Sequence, residues 1–232
     1  MLKMKRILPY LLFLFLLGCS KEEKSYEHWS KLASEKYKEI VALTQSVHCT
    51  EINDFETVQI GHNYLLLHPS IKGQYGKLMQ EYEYLQTQAG KAAGREGILN
   101  DIFAPPNPPV RKQCQNGKPT LIFAQNLTLE EARSELSTRL AEIKAFYNDV
   151  TCTNANDWSV YGIRTGCCIE AIAIHKTIKT VEFIQKIDLY NRIMEQKMTL
   201  EKVGCAGIPP CASSIKSIQC VDGKPVIEMA KL

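Results

Sequence analysis

Cysteine is the residue type in this chain with the most chemistry to assign, and nine are present. Cys49, Cys114, Cys152, Cys167, Cys168, Cys205, Cys211 and Cys220 form an even eight, and Cys19 stands apart from them. Thiols pair as disulfides, hold zinc or run redox exchange. Cysteine zinc sites use CxxC-like knuckles, and CxxC is also the redox signature. Neither spacing occurs here; Cys167 and Cys168 are adjacent, and five residues separate Cys205 from Cys211. An even count without metal spacing, behind an export signal, predicts structural disulfides. No metal and no cofactor is expected.

Other reactive groups are sparse. His28, His48, His62, His68 and His175 lack the HExxH spacing of a zinc protease, and a Cys–His nucleophile pair would need a free, activated thiol. There is no GxSxG elbow, P-loop or GxGxxG. Asp54 and Asp157 each follow an asparagine, Asn53 and Asn156, and precede an aromatic, Phe55 and Trp158. A paired-carboxylate site is one reading of them. Asn-Asp turn chemistry beside a packed ring is the reading the residue types favour.

Cys19 has a different chemistry. Lys3, Lys5 and Arg6 precede an apolar run from Ile7 to Leu17. That run is too short to cross a bilayer as a helix, which takes about 20 residues, and it fits the core of a secretory signal. Leu16-Leu17-Gly18-Cys19 resembles a lipobox, whose cysteine sulfur accepts diacylglycerol. The expectation is a signal peptide over 1–18 and a lipid-modified Cys19 on a tether over 19–25. Ser20-Lys21-Glu22-Glu23 is also similar to an acidic run that sends some Gram-negative lipoproteins to the outer face of the outer membrane. The expected location is therefore the cell envelope, lipid-anchored at the outer membrane. The net charge of +3 comes from the three basic residues of the signal. The rest of the chain is neutral and has no net attraction to nucleic acid.

Self-comparison reveals two copies. Cys49-Thr50-Glu51-Ile52-Asn53-Asp54-Phe55 corresponds to Cys152-Thr153-Asn154-Ala155-Asn156-Asp157-Trp158. Pro105-Pro106 corresponds to Pro209-Pro210, and Cys114-Gln115-Asn116-Gly117-Lys118-Pro119 to Cys220-Val221-Asp222-Gly223-Lys224-Pro225. The chain reads as a tandem duplication, repeat 1 over 26–125 and repeat 2 over 126–232. The correspondence pairs Cys49 with Cys114 and Cys152 with Cys220, one bridge per copy. Cys167 and Cys168 are then left to pair with Cys205 and Cys211, in either combination. A constant offset sets His62 and His68 opposite Thr165 and Ala171.

The elements needed to position these residues follow from periodicity. Tyr37, Ile40, Leu43 and Val47 mark a first helix, and Tyr75, Leu78, Met79, Tyr82 and Leu85 a second. In repeat 2, Thr128 and Glu131 have capping-box spacing. Leu136, Leu140, Ile143 and Phe146 continue that helix, and Phe183, Ile187, Tyr190 and Met194 mark another. Strand-like stretches cover Thr57–Leu67 and part of Val160–Ile174. Asn116-Gly117 and Asp222-Gly223 signal two-residue type I′ turns in terminal hairpins. The fold class is α+β, each copy reading helix, strand or hairpin, helix, Pro-rich loop, β-hairpin, braced by disulfides.

Repeat 2 also resembles a group of small, functionally uncharacterised domains in secreted proteins and lipoproteins of Gram-negative bacteria. The residues that carry the likeness are Cys152, Trp158, Ile163, Cys168, Tyr190-Asn191, Cys205, Pro209-Pro210 and Cys220 through Lys224. Arg164 replaces the glycine of that pattern, and Cys168-Ile169 departs from its Cys-Gly-Gly. The resemblance implies a disulfide-braced module and no particular activity.

The Pro-rich loops are the candidate working surface. Pro105-Pro106 and Ile208-Pro209-Pro210 are stiff, and stiff loops bind at low entropic cost. The expected function is a non-enzymatic, envelope-anchored binding module for a protein or glycan partner, with an inhibitor of a protease or lysozyme as its sharper form. The alternative is an envelope enzyme with an unrecognised carboxylate site.

Overall fold

A computed structural model of the chain describes residues 23–98, 107–205 and 215–229. Cys19, Pro105, Pro106, Ile208, Pro209, Pro210 and Cys211 lie outside the described residues, so the lipid-anchor and Pro-loop readings fall there too. Helix α1 (Tyr26–Gln45) starts where the Ser25 hydroxyl accepts the His28 N–H at 3.3 Å. Helix α2 (Lys72–Glu96) stops at Gly97, whose φ of 67° places it in the left-handed region, and the Ile98 N–H closes back on the Ala93 carbonyl at 2.9 Å. Helix α3 (Leu129–Ala145) opens on the capping box expected from Thr128 and Glu131, with both reciprocal bonds formed. Helix α4 spans Thr180–Leu200.

Eight strands pair as four two-stranded sheets among the described residues. They are β1 (Glu56–Ile60) with β2 (Asn63–Leu67), β3 (Arg111–Gln115) with β4 (Lys118–Ile122), β5 (Trp158–Thr165) with β6 (Cys168–His175), and β7 (Ile215–Val221) with β8 (Lys224–Met229). The order helix, short 3-10 turn, hairpin, helix, hairpin occurs twice along the chain. The stretch read as partly strand in the second half is one hairpin, with register from Trp158↔His175 to Thr165↔Cys168. Both terminal turns have the backbone their sequences call for. Asn116, Gly117, Asp222 and Gly223 all have positive φ, between 50° and 73°.

The described residues form two compact units. The first contains α1 and α2 as an antiparallel pair. Ala33 and Ile40 of α1 and Ala89, Ala92 and Ala93 of α2 are buried, and the small alanines let the helices approach closely. Lys36 bridges to Glu81 at 2.8 Å, Trp29 meets Tyr84 edge-on, and the Glu96 carboxylate accepts the Tyr26 N–H at 2.8 Å.

The second unit contains Cys49–Ile52, Thr57–Leu66 and the described residues from 107 onward. Its boundary follows packing and assigns the β3–β4 hairpin to the same unit as α3 and α4. The core joins Leu136 and Ile143 of α3, Phe183, Ile187, Tyr190 and Ile193 of α4, and Ile163 and Ile174 of β5–β6. Arg111 on β3 pairs with Glu131 and Glu135, and Arg139 donates to the Val110 carbonyl at 2.8 Å. These bonds fasten the β3–β4 hairpin to α3.

Two bridges join cysteines that the copy correspondence sets together. Cys49–Cys114 and Cys152–Cys220 have Cα separations of 5.4 and 5.3 Å. Beside each bridge the cysteine N–H donates to the second residue of the hairpin turn, Cys49 to the Gly117 carbonyl at 2.8 Å and Cys152 to the Gly223 carbonyl at 2.7 Å. Of the pairings left open, Cys167 joins Cys205 with a Cα separation of 5.4 Å. Cys168 is also disulfide-bonded.

Two outcomes follow. Replacing Cys152 with Ser should leave Cys220 as the newly alkylated thiol in a non-reducing peptide map, with Cys49–Cys114 intact, and should cost about 2–5 kcal/mol in urea unfolding. Alkylation of Cys49 or Cys114 in that variant would refute the separate clasps. The second concerns Glu131. The Thr128 backbone N–H and then the Arg111 guanidinium hold its carboxyl down to about 2. A depressed folded-state value contributes stability that is complete above the unfolded value of about 4.3 and is lost as pH falls from there toward 2. The Glu131 carboxyl carbon should therefore titrate by NMR near that low value, and Arg111→Ala should move its midpoint upward.

Candidate functional site

The described part of the second unit encloses a half-open groove of about 500 Å³. Its position follows from four chain reversals. The last turn of α3 contributes Ile143 and Lys144, and the chain leaving it contributes Tyr147 and Asn148. Trp158 and Ile172 come from β5–β6, Phe183 from the first turn of α4, and Asp222, Gly223 and Lys224 from the β7–β8 turn. The Cys152–Cys220 bridge and the Cys152–Gly223 hydrogen bond fix that turn in place.

The floor is aromatic and packed. Trp158 and Phe183 are buried, and Tyr147 contacts both, with ring centroids 5.2 and 4.7 Å away. Burial raises the Tyr147 hydroxyl above its ordinary range, so it stays protonated and donates to the Ile178 carbonyl at 3.2 Å. The rim is polar. Lys144, Asn148, Asp222 and Lys224 are exposed, and among the described residues neither lysine forms an ion pair. The lining holds one carboxylate, Asp222, and neither histidine nor cysteine. The lining thus sets an apolar aromatic base beneath a polar rim of two lysines and one carboxylate.

The residues singled out from the sequence are dispersed. Asp157 closes a turn: its N–H donates to the Asn154 carbonyl at 3.2 Å, its carbonyl accepts the Lys176 N–H at 2.8 Å, and Asn154 reaches its carboxylate at 3.4 Å. Asp54 ends the short 3-10 turn Ile52–Asp54 and is exposed. Trp158 packs as its position after Asn-Asp implies, and so does Phe55. The Tyr190-Asn191 pair is structural. Tyr190 lies in the core, while Asn191 donates to the Gly162 carbonyl at 3.1 Å and accepts the Arg164 N–H at 2.7 Å. Its amide thus occupies the open edge of β5, where a further strand would otherwise pair.

One alignment changes. The constant offset sets His68 opposite Ala171, but the structure gives it the role of His175. Each histidine closes a hairpin and packs on the aromatic that opens it, His68 on Phe55 at 5.0 Å and His175 on Trp158 at 5.1 Å. Each also accepts backbone N–H groups at Nδ1. His68 takes that of Ser70 at 3.2 Å, and His175 takes those of Thr177 and Ile178 at 3.2 and 3.0 Å. The offset grows because β5 and β6 are eight residues long and β1 and β2 only five. The sequence signal was present in His68-Pro69-Ser70 and His175-Lys176-Thr177.

The groove residues Lys144, Tyr147, Asn148 and Lys224 were not among the sequence candidates. Comparing the copies could have exposed them. At the offset of 103, Lys144 stands against Val41 and Tyr147 against Thr44, so these two lining residues have no like counterpart in the first half of the chain. Among the described residues no group of histidines, cysteines and carboxylates is placed to hold a metal ion, and no helix is long and apolar enough to cross a membrane. Compared with protein-family models, curated proteins and solved structures, the chain matches none.

The double role of His175 separates into two variants. His175→Asn keeps an acceptor near the Nδ1 position and loses the ring; it should cost about 0.5–1.5 kcal/mol in urea unfolding. His175→Phe keeps the ring and leaves the Thr177 and Ile178 N–H groups without their acceptor, at about 1–2 kcal/mol. Amide exchange of Thr177 and Ile178 should rise in the Phe variant alone. Equal exchange in both variants would remove the capping role.

Proposed function

We propose that the chain is a lipid-anchored lipoprotein of the bacterial envelope, attached through Cys19 to the outer membrane, that acts as a non-enzymatic binding module. The Lys3–Cys19 signal pattern supports the anchor, and the Ser20–Glu23 run supports display on the outer face. The recurrent element order, the paired cysteine–turn contacts and the paired aromatic–histidine contacts support an origin by tandem duplication over 26–125 and 126–232. The resemblance of repeat 2 to disulfide-containing domains of secreted proteins and lipoproteins is consistent with this reading.

One observation carries the binding half of the proposal. Among the described residues, the groove of about 500 Å³ has aromatic walls and two exposed lysines in no ion pair, and its lining contains no carboxylate pair and no histidine. Asp54 and Asp157, on which the enzyme alternative rests, are in turns. The sharper form, inhibition of a protease or lysozyme by Ile208, Pro209 and Pro210, concerns residues outside the described ones.

Two measurements test the proposal. Cys19→Ala should release the chain from the membrane fraction or block its processing; unchanged mass and membrane association would refute the anchor. The purified chain should slow lysozyme or a serine protease without turning over, and Pro209→Ala with Pro210→Ala should weaken that effect. Intrinsic hydrolysis abolished by Asp157→Asn would replace the binding module with the envelope enzyme.

A further inference from the structure

We infer that the groove of the second unit binds a carboxylate carried on an aromatic or aliphatic body, with Lys144 and Lys224 holding the carboxylate and the Tyr147 side of the groove accepting the apolar part. The inference rests on the binding-module reading and names the ligand chemistry of that site. Three features of the lining lead to it.

The first is charge. Lys144, Lys224 and Asp222 are the charged residues of the lining, which leaves it one positive charge in excess. Elsewhere in the second unit, cations near this region are already engaged: Lys179 with Asp149 at 3.1 Å and Lys186 with Glu142 at 3.5 Å. Lys144 and Lys224 have no such partner among the described residues. Both lysines line the same groove, and a carboxylate can accept hydrogen bonds on both of its oxygens.

The second is the floor. Ile143, Trp158, Ile172, Phe183 and Pro225 give the groove an apolar base. A ligand that were only an anion would leave that base wet, so the body attached to the carboxylate should be apolar. The volume of about 500 Å³ accommodates one or two amino-acid-sized groups and falls within the range of small-molecule sites.

The third is rigidity and asymmetry. The turn that presents Lys224 is fixed by a disulfide and a 2.7 Å backbone hydrogen bond. At Gly223, φ is +73° and a Cβ would come within 3.2 Å of the Thr151 side chain, so the turn takes this shape most readily with glycine. Lys224 recurs in the first copy as Lys118, but Lys144 is answered by Val41 and Tyr147 by Thr44. The second basic group and the aromatic wall are therefore particular to the copy that has the groove.

A free organic acid and the C-terminal or side-chain carboxylate of a peptide present the same chemistry. The experiment uses 15N-labelled full chain and follows the Trp158 indole and the Gly223 amide while 3-phenylpropionate, N-acetyl-phenylalanine, N-acetyl-Phe-Glu-amide and 3-phenylpropionamide are added in turn. The carboxylates should give saturable shifts at both signals, and the neutral amide should bind at least about tenfold more weakly. Lys144→Gln with Lys224→Gln should erase that preference while leaving the disulfide map unchanged. Tighter binding of N-acetyl-Phe-Glu-amide assigns the site to a peptide side chain, tighter binding of N-acetyl-phenylalanine to a chain terminus, and tighter binding of 3-phenylpropionate to a free acid; each supports the inference. Equal binding of acid and amide, an unaltered preference in the double variant, or no shift with any probe would overturn it. In that case the anchoring and inhibition measurements would still decide the wider reading, since neither uses this groove as its readout.

Discussion

The β3–β4 and β7–β8 hairpins are each held by the same pair of bonds to one cysteine, Cys49 and Cys152 respectively. A disulfide joins that cysteine to the hairpin's first strand, and the cysteine N–H donates to the glycine carbonyl of the hairpin's turn. Much else depends on this clasp because a two-stranded hairpin alone is marginal in water. The bridges span 65 and 68 residues, and closing loops of that size removes roughly 4 kcal/mol of unfolded-state entropy in the chain-entropy model. The hydrogen bond supplies what a disulfide alone does not, a fixed orientation of the turn. It also explains why the second turn residue is glycine in both hairpins: φ exceeds 70° there, and the carbonyl must face the cysteine N–H.

The remaining hairpins are secured by side chains instead of by wide sheets. Asn191 pairs with two backbone groups on the edge of β5 and so takes the place of a third strand. His68 and His175 each tie the closing end of a hairpin to the aromatic residue that opens it and cap the backbone beyond. A histidine in that role must keep Nδ1 as an acceptor, which places its proton on Nε2. The clasped β3–β4 hairpin has a further hold of this kind, since Arg111 pairs with Glu131 and Glu135 of α3 and Arg139 of α3 donates to the Val110 carbonyl. Small sheets, each tied down locally, leave room for surfaces that differ from one hairpin to the next without loss of the scaffold.

The groove illustrates that separation. Its walls are built from framework residues: the helix end, the Trp158 ring, the clasped turn. Its rim combines Lys224, which has a counterpart in Lys118, with Lys144, which stands against Val41. Lys144 and Tyr147 therefore distinguish this groove more than the landmarks that the two matching segments share.

The helix starts at Thr128, the two type I′ turns and the Cys49–Cys114 and Cys152–Cys220 pairs were legible because each is set by local chemistry or by repeated spacing. A capping box needs only residues three apart, a left-handed turn only Asn-Gly or Asp-Gly, and cysteines that recur in matching segments point to their partners through that match. The choice of Cys205 for Cys167 was not legible, since adjacent cysteines give no spacing to separate them and only backbone direction does. The equivalence of His68 and His175 was hidden because unequal strand lengths shift the offset by several residues, while the contact itself is set by hairpin closure. The groove was invisible for a deeper reason: Lys144, Trp158, Phe183 and Lys224 lie on four elements, and nothing in their order along the chain brings them together. The sequence determined which local devices form; only the packing of α3, α4 and the clasped hairpin decided that an aromatic floor would lie in one groove with Lys144 and Lys224.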